Sequence, residues 1–197
     1  LCAIQYHLTF WTSRTTPNGL AFPLATVALT HVVHGRHAYK GLALLAATAM
    51  MLRLELVCLA VPAYLWTWWH HQRRFFYVFM TGAVTCAGSI ALSVLVDSYF
   101  WRKRFLWPEG HAVIFNVIEG RSAEWGVSPP WTYVVRDLPR ILFAAFPLAL
   151  LGCTRRSSFR SPLVLLICTH VGLMSFLAHK EWRFLVYICL LYTSPSP

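Results

Sequence analysis

The stretch "FFYVFMTGAVTCAGSIALSVLV", residues 75–96, contains no Asp, Glu, Lys, Arg or His. Its length matches the roughly 20 apolar residues that a helix needs to cross the hydrocarbon core of a bilayer. Further apolar runs lie at 20–33, 42–69, 141–153, 163–178 and 184–192. The pattern predicts an all-α polytopic membrane protein. Several runs are short, and Pro147 and His170 sit inside two of them. Short or interrupted helices suit a bundle that lines a cavity better than a plain ring facing lipid. The run 42–69 carries Arg53 and Glu55 at its centre and reads either as one tilted helix or as a broken pair.

Composition agrees. Of 197 residues, 57% are hydrophobic and 12% charged, against about 45–50% and about 25% in soluble domains. Mean hydropathy is +0.54. The net charge of +10 does not point to nucleic acid, whose binders carry Lys and Arg on a soluble polar face. Here the basic residues flank apolar runs, as at the cytoplasmic ends of membrane helices. Five of the six cysteines (Cys58, Cys86, Cys153, Cys168 and Cys189) lie in or beside apolar runs, with no CxxC. They read as small buried hydrophobes rather than a disulfide framework or a metal site.

Charge sets the orientation. Arg155, Arg156 and Arg160 fill one short link, and Arg73 and Arg74 another, with no acid in either. Both links read as cytoplasmic. Residues 97–138 and the cluster at 179–183 then share the opposite side, the lumen of a secretory membrane. The 97–138 region is charge-balanced: Arg102, Lys103, Arg104, Arg121 and Arg136 face Asp97, Glu109, Glu119, Glu124 and Asp137.

The cluster "HKEWRF" begins at His179 and carries Lys180, Glu181 and Arg183. His179 and Arg183 are four apart and would share a helix face. One reading is a snorkelling belt that anchors helix ends. The other is a site for an anionic group, with Lys180 and Arg183 as ligands and Glu181 orienting them. An anchoring belt needs neither the Glu nor the His.

The 97–138 region leaves two readings open as well. It is either a polar loop with aromatic anchors at Trp101 and Trp107, or one wall of a lumenal cleft. In the second reading, Asp97, Trp107, Glu109 and Asn116 shape a sugar pocket. Residues 110–119 fit an amphipathic helix on the membrane surface. The prolines of "SPPW", 128–131, disfavour helix there. In "SRTTPNG", Thr16 and Pro17 read as helix cap and first helical residue, with Arg14 as an interfacial charge. Arg53 and Glu55 are two apart, so they would not share a helix face and each would have a partner on another helix. Ionisable groups at membrane depth, here Arg14, Arg53 and Glu55, are candidates for function. His31, His34 and His37 have helical spacing but no nearby carboxylate, so no metal site is expected. No Gly-rich phosphate loop, GxSxG or HExxH occurs.

These motifs resemble a known family. "HKEWRF" is similar to the HKE-x-RF signature of the dolichyl-phosphate-mannose-dependent mannosyltransferases of glycosyltransferase family 22. "VDSYFW", "WPEG", "FNV", "WGVSPPW" and "LPR", in this order, with "HLTFWTSRTTPNGLAFPL" and "RLEL" upstream, look most like the family's α-1,6-transferring members, which add the eighth mannose to the lipid-linked precursor of N-glycans. The resemblance covers nearly all of residues 1–192. It implies a GT-C helix bundle in the endoplasmic reticulum membrane, with the active site on lumenal loops. It implies dolichyl-phosphate-mannose as donor, a dolichol-linked oligosaccharide as acceptor, membrane lipid around both, and no cofactor or nucleic acid. Transfer would invert the anomeric carbon. His179, Lys180, Glu181 and Arg183 would bind the donor phosphate. The family's catalytic carboxylate has no matching position here, and Asp97 and Glu109 are not promoted to that role.

Two other readings stay open: a family 22 enzyme with α-1,2 specificity or a glycosylphosphatidylinositol substrate, and a non-enzymatic membrane protein that binds or transports a lipid headgroup. Leu1 opens inside structured sequence, and residues 193–197 switch abruptly to Ser and Pro. Residues 1–192 therefore read as a fragment of one membrane domain, inactive by itself, and 193–197 as a non-native tail.

Overall fold

The computed structural model describes residues 10, 13–70, 74–143, 145–154 and 162–188. Arg73, Arg155, Arg156, Arg160, Cys189, the side chain of Cys153 and the tail 193–197 lie outside the described residues. Among the described residues all regular structure is helical. The four main helices of the first half are α1 (Pro17–His34), α2 (Ala38–Met51), α3 (Val57–His70) and α4 (Phe75–Trp101). A short helix α5 (Pro108–Val113) continues into a π turn, Ile114–Ile118, and a 3-10 turn, Arg121–Trp125. A second π turn, Tyr133–Asp137, leads into α6 (Leu138–Leu142), followed by α7 (Ala145–Thr154) and α8 (Pro162–Ser175).

Helix α1 starts as its sequence predicts. The Thr16 hydroxyl accepts from the Gly19 N–H at 3.2 Å, and Pro17 occupies the first turn, where its missing N–H costs nothing. Gly35 ends it in the left-handed conformation with φ 72. Helices α1 and α2 pack closely through small residues. A Cβ on Gly41 would lie 2.5 Å from the Ala28 carbonyl oxygen and 2.9 Å from His31 Cβ. Only glycine permits that approach. Ala21, Ala25, Ala28, Leu29 and Val32 meet Leu42, Leu45 and Ala49 in the buried core. Helix α2 also packs on α4, and α3 on α8.

The run 42–69 is a broken pair. Helix α2 ends at Met51 and α3 begins at Val57, with a 3-10 turn Leu54–Leu56 between them. Arg53 is extended there, φ −154 and ψ 102. Leaving the helix frees backbone polar groups that need partners, and the contacts described below supply one for the Leu54 N–H.

Helix α4 has 27 residues, about 40 Å at 1.5 Å per residue. It is the one helix among the described residues that is both long and apolar enough to cross a membrane. The expected run 75–96 lies inside it, but the helix continues to Trp101. Asp97 is therefore a helical residue rather than the first of a loop. Other expected runs are divided: 141–153 breaks at Phe143, whose φ is 48, and 163–178 is helical only to Ser175. Residues 108–118 are helical, near the expected amphipathic segment, and expose Ile114, Val117 and Ile118. Residues 126–129 are irregular, as the two prolines require.

Candidate functional site

The residues after α8 form the centre of the site. Lys180 precedes Glu181, which is extended with φ −125 and ψ 138, and a 3-10 turn Trp182–Leu185 follows. The helical face expected for His179 and Arg183 does not exist, because the chain is not helical at 180–181. The two residues still converge, through Glu181. His179 Nε2 lies 3.0 Å from Glu181 Oε1, and Arg183 Nη2 donates to the same oxygen at 2.7 Å. Arg183 Nε approaches Glu181 Oε2 at 2.5 Å as an ion-pair contact rather than an aligned hydrogen bond. The Glu181 N–H donates to Tyr133 Oη at 3.3 Å. Glu181 thus orients His179 and Arg183.

Lys180 is placed differently. Its Nζ donates to the backbone carbonyls of Leu177 at 2.6 Å and Ser128 at 3.0 Å. Glu181 does not orient it. Lys180 is buried, and loss of water lowers its pKa below the usual lysine value. The Ser128 N–H donates to the Ala178 carbonyl at 3.0 Å, and His179 Nδ1 faces the Gly126 carbonyl at 3.4 Å. These contacts fasten residues 126–128 to residues 177–180.

A second polar group lies in the break between α2 and α3. Arg53 Nε donates to Glu55 Oε1 at 2.8 Å. This differs from the expectation that the two, placed on different helix faces, would each find a partner on another helix. That expectation assumed a helix, whereas extended Arg53 and the 3-10 turn put both side chains on one side. Glu55 also has distant partners. Asn18 Nδ2 on α1 donates to Oε1 at 3.0 Å, and Tyr187 Oη at 3.2 Å. Asn18 Nδ2 reaches Tyr187 Oη as well, at 2.8 Å.

Phe184 joins the two groups. The guanidinium carbon of Arg53 lies 5.9 Å from its ring centroid and that of Arg183 5.6 Å, both within cation–π range. The Phe184 carbonyl faces Nε2 of fully buried His170 at 2.8 Å. Two arginines that lie far apart in sequence therefore flank one aromatic ring.

Trp107 and Glu109, expected in a sugar pocket, hold the break between α2 and α3. Trp107 Nε1 donates to the Met50 carbonyl at 2.9 Å, and the Leu54 N–H donates to Glu109 Oε2 at 2.7 Å. Burial pushes the Glu109 carboxyl above its usual pKa, against the Leu54 N–H and the nearby Arg53 charge, which pull it down. Asp97 accepts from the Ser93 hydroxyl at 2.6 Å within α4. Asn116 Nδ2 donates to Ala112 O at 2.8 Å on its own segment. Neither bond brings its residue to the 179–183 cluster. The Arg14 guanidinium lies 4.2 Å from the Phe10 ring, whose centroid is 5.6 Å from that of Trp182. Arg14 is thereby linked to the edge of the site.

Sequence reasoning missed Asn18, Tyr133, Phe184 and Tyr187. Asn18 lies in a helix start that local chemistry alone explains, and Tyr187 is a single hydroxyl in an apolar run. For Asn18 and Tyr187 only the partner Glu55 could have pointed to them, because a buried carboxylate requires donors.

Comparison with known proteins places this geometry in context. The model of the Alg9-like mannosyltransferase family matches residues 1–194. The chain is 34% identical over 195 residues to a probable Dol-P-Man:Man(7)GlcNAc(2)-PP-Dol α-1,6-mannosyltransferase of Schizosaccharomyces pombe, covering 94% of this chain and 34% of the relative. It is 33% identical over 187 residues to the Saccharomyces cerevisiae α-1,6-mannosyltransferase of the same name, covering 93% and 33%. The Arabidopsis thaliana counterpart is 32% identical over 186 residues, covering 93% and 36%. The chain spans about a third of the length of these curated relatives. No solved structure matches it.

Proposed function

Since the chain belongs to the Alg9-like mannosyltransferase family, we propose that it is part of a multi-pass GT-C enzyme of the endoplasmic reticulum membrane. The enzyme moves mannose from dolichyl-phosphate-mannose to the lipid-linked oligosaccharide precursor of N-glycans in α-1,6 linkage. The observation that carries the reading is the Glu181 cluster, which aligns Arg183 and His179 beside Phe184 and Arg53. It is supported by the α-1,6-transferring relatives, which match more than nine-tenths of the chain. A glycosylphosphatidylinositol α-1,2-mannosyltransferase of Danio rerio is 29% identical over 55% of the chain, so the α-1,6 reading has the wider support.

The chemistry asked of these residues is charge stabilisation. As the glycosidic bond breaks, negative charge grows on the departing lipid phosphate. A guanidinium already aligned by a carboxylate meets that charge without reorganising. Arg183 supplies it, with His179 as a second donor. Lys180 acts by fastening residues 126–128 rather than by touching the phosphate. Inversion makes the reaction a single displacement, which requires a base on the acceptor 6-hydroxyl. None of the carboxylates described here is assigned that role. Asp97, Trp107, Glu109 and Asn116 serve the walls and supports of the site, and membrane lipid surrounds it.

The test is rescue of a yeast strain lacking its α-1,6 enzyme by the protein carrying this chain. The expected result is a lipid-linked glycan lengthened past seven mannoses. A glycan that stays at seven mannoses, with the protein present in the membrane, overturns the reading.

A further inference from the structure

Helix α8 turns Leu166, Ile167, Val171 and Met174 into the core, and His170 with them, its side chain fully buried. An apolar residue would continue that stripe. The Phe184 carbonyl can only accept, so His170 Nε2, 2.8 Å away, carries the ring proton and donates it. Nδ1 of the neutral ring is then a buried acceptor, and it has no hydrogen-bond partner. Burying an unpaired acceptor is unfavourable. Packing alone therefore gives no reason for an imidazole at this position, whereas the bond to Phe184 does.

Phe184 belongs to the 3-10 turn Trp182–Leu185, which also carries Arg183. The Phe184 N–H donates to the Glu181 carbonyl at 3.2 Å, and its ring lies in cation–π range of both Arg53 and Arg183. The imidazole also meets the Tyr187 ring edge-on, with centroids 6.3 Å apart, and Tyr187 holds Glu55. His170 is thus the point at which α8, itself packed on α3, touches both polar groups. A group that must meet developing charge works only when the residues behind it are locked in place. We propose that His170 is a positioning residue for mannosyl transfer: by holding the Phe184 carbonyl, it sets the turn from which Arg183 meets the departing phosphate. The proposal rests on the mannosyltransferase reading and on the role given there to Arg183.

The test is mannosyl transfer by the detergent-solubilised protein carrying this chain, with kcat and the KM for dolichyl-phosphate-mannose measured separately. His170→Met fills the space with an apolar side chain and removes the N–H. It is expected to lower kcat at least about tenfold while KM stays within about twofold. His170→Gln, whose amide N–H reaches about as far as Nε2, should return kcat to within about threefold of the parent, and the shorter His170→Asn should not. In an Arg183→Gln background, His170→Met should lower kcat by less than about a further twofold, because it acts through the group already lost. Where His170→Met does not fold, the two amide variants decide, and equal kcat in His170→Gln and His170→Asn overturns the proposal. So does a folded His170→Met protein with the parent's kcat. A loss that adds in full to that of Arg183→Gln also overturns it, and would make His170 a packing residue only. Each of these outcomes leaves the enzyme reading standing. A folded parent that transfers no mannose overturns that reading, and the proposal with it.

Discussion

Glu55 and Tyr187 are 132 positions apart in sequence, and the Tyr187 hydroxyl donates to Glu55 Oε1 at 3.2 Å. With Asn18 and Arg53 on the same oxygen, this contact ties α1, the break after α2 and the segment after α8 into one unit. Glu55→Gln keeps the shape but leaves Arg53 without its countercharge. It is expected to cost about 2–3 kcal/mol, whereas Tyr187→Phe should cost about 1 kcal/mol. Thermal unfolding in detergent measures both. A Glu55→Gln variant as stable as the parent would refute the charge-centred account of this network.

A second prediction concerns the support beneath the break. A Cβ on Gly110 would lie 2.2 Å from Cε3 of Trp107, whose indole N–H holds the Met50 carbonyl. Gly110→Ala should therefore displace Trp107 and cost about 1–3 kcal/mol. Trp107→Leu removes the clash, so adding Gly110→Ala to it should cost much less than in the parent. Unfolding of the four proteins gives the cycle, and simple additivity would contradict it.

Burial raises the Glu109 carboxyl above its usual 4.5. Below that pH both folded and unfolded chains hold the proton. As pH rises the unfolded chain ionises first, so stability falls until the raised folded value is passed, and then levels off. Glu109→Gln keeps an acceptor for the Leu54 N–H and does not titrate. Its stability advantage over the parent should be smallest near pH 4 and grow upward from there. Melting curves at a series of pH values check this, and an advantage that shrinks as pH rises would contradict it.

How much of this was legible in the sequence varies with the forces involved. The uncharged run at 75–96 led to α4, because length and apolarity suffice for a helix of that kind. The Thr16 cap and the irregular Ser-Pro-Pro segment followed from local chemistry. Residues 179, 180, 181 and 183 stood out as charge crowded between apolar runs; 179, 181 and 183 do converge, but not on the helical face that the spacing of 179 and 183 suggested. Arg53 and Glu55 read as lying on different helix faces for the same reason. In both places the backbone leaves the helix to satisfy charge, a tertiary effect that periodicity cannot register. The support that Trp107 and Glu109 give the break could not be read, because their partners, the Met50 carbonyl and Leu54 N–H, are backbone groups bearing no sequence signal.

Lys180 and Arg183 should separate experimentally. Lys180→Met removes the link from Leu177 to Ser128. It should hasten proteolysis within residues 121–131, since a segment losing its anchors opens more often. Arg183→Gln should leave the cleavage rate unchanged. Equal protection in Lys180→Met and the parent would contradict the fastening role.

The most direct test of the central claim is mannosyl transfer from dolichyl-phosphate-mannose by membranes containing the protein that carries this chain, with and without Arg183→Gln. Removing one preorganised charge from a developing oxyanion typically costs about 10²-fold or more in rate. The account predicts a loss of about that size with the melting temperature held. Near-normal transfer by a folded Arg183→Gln protein would contradict it.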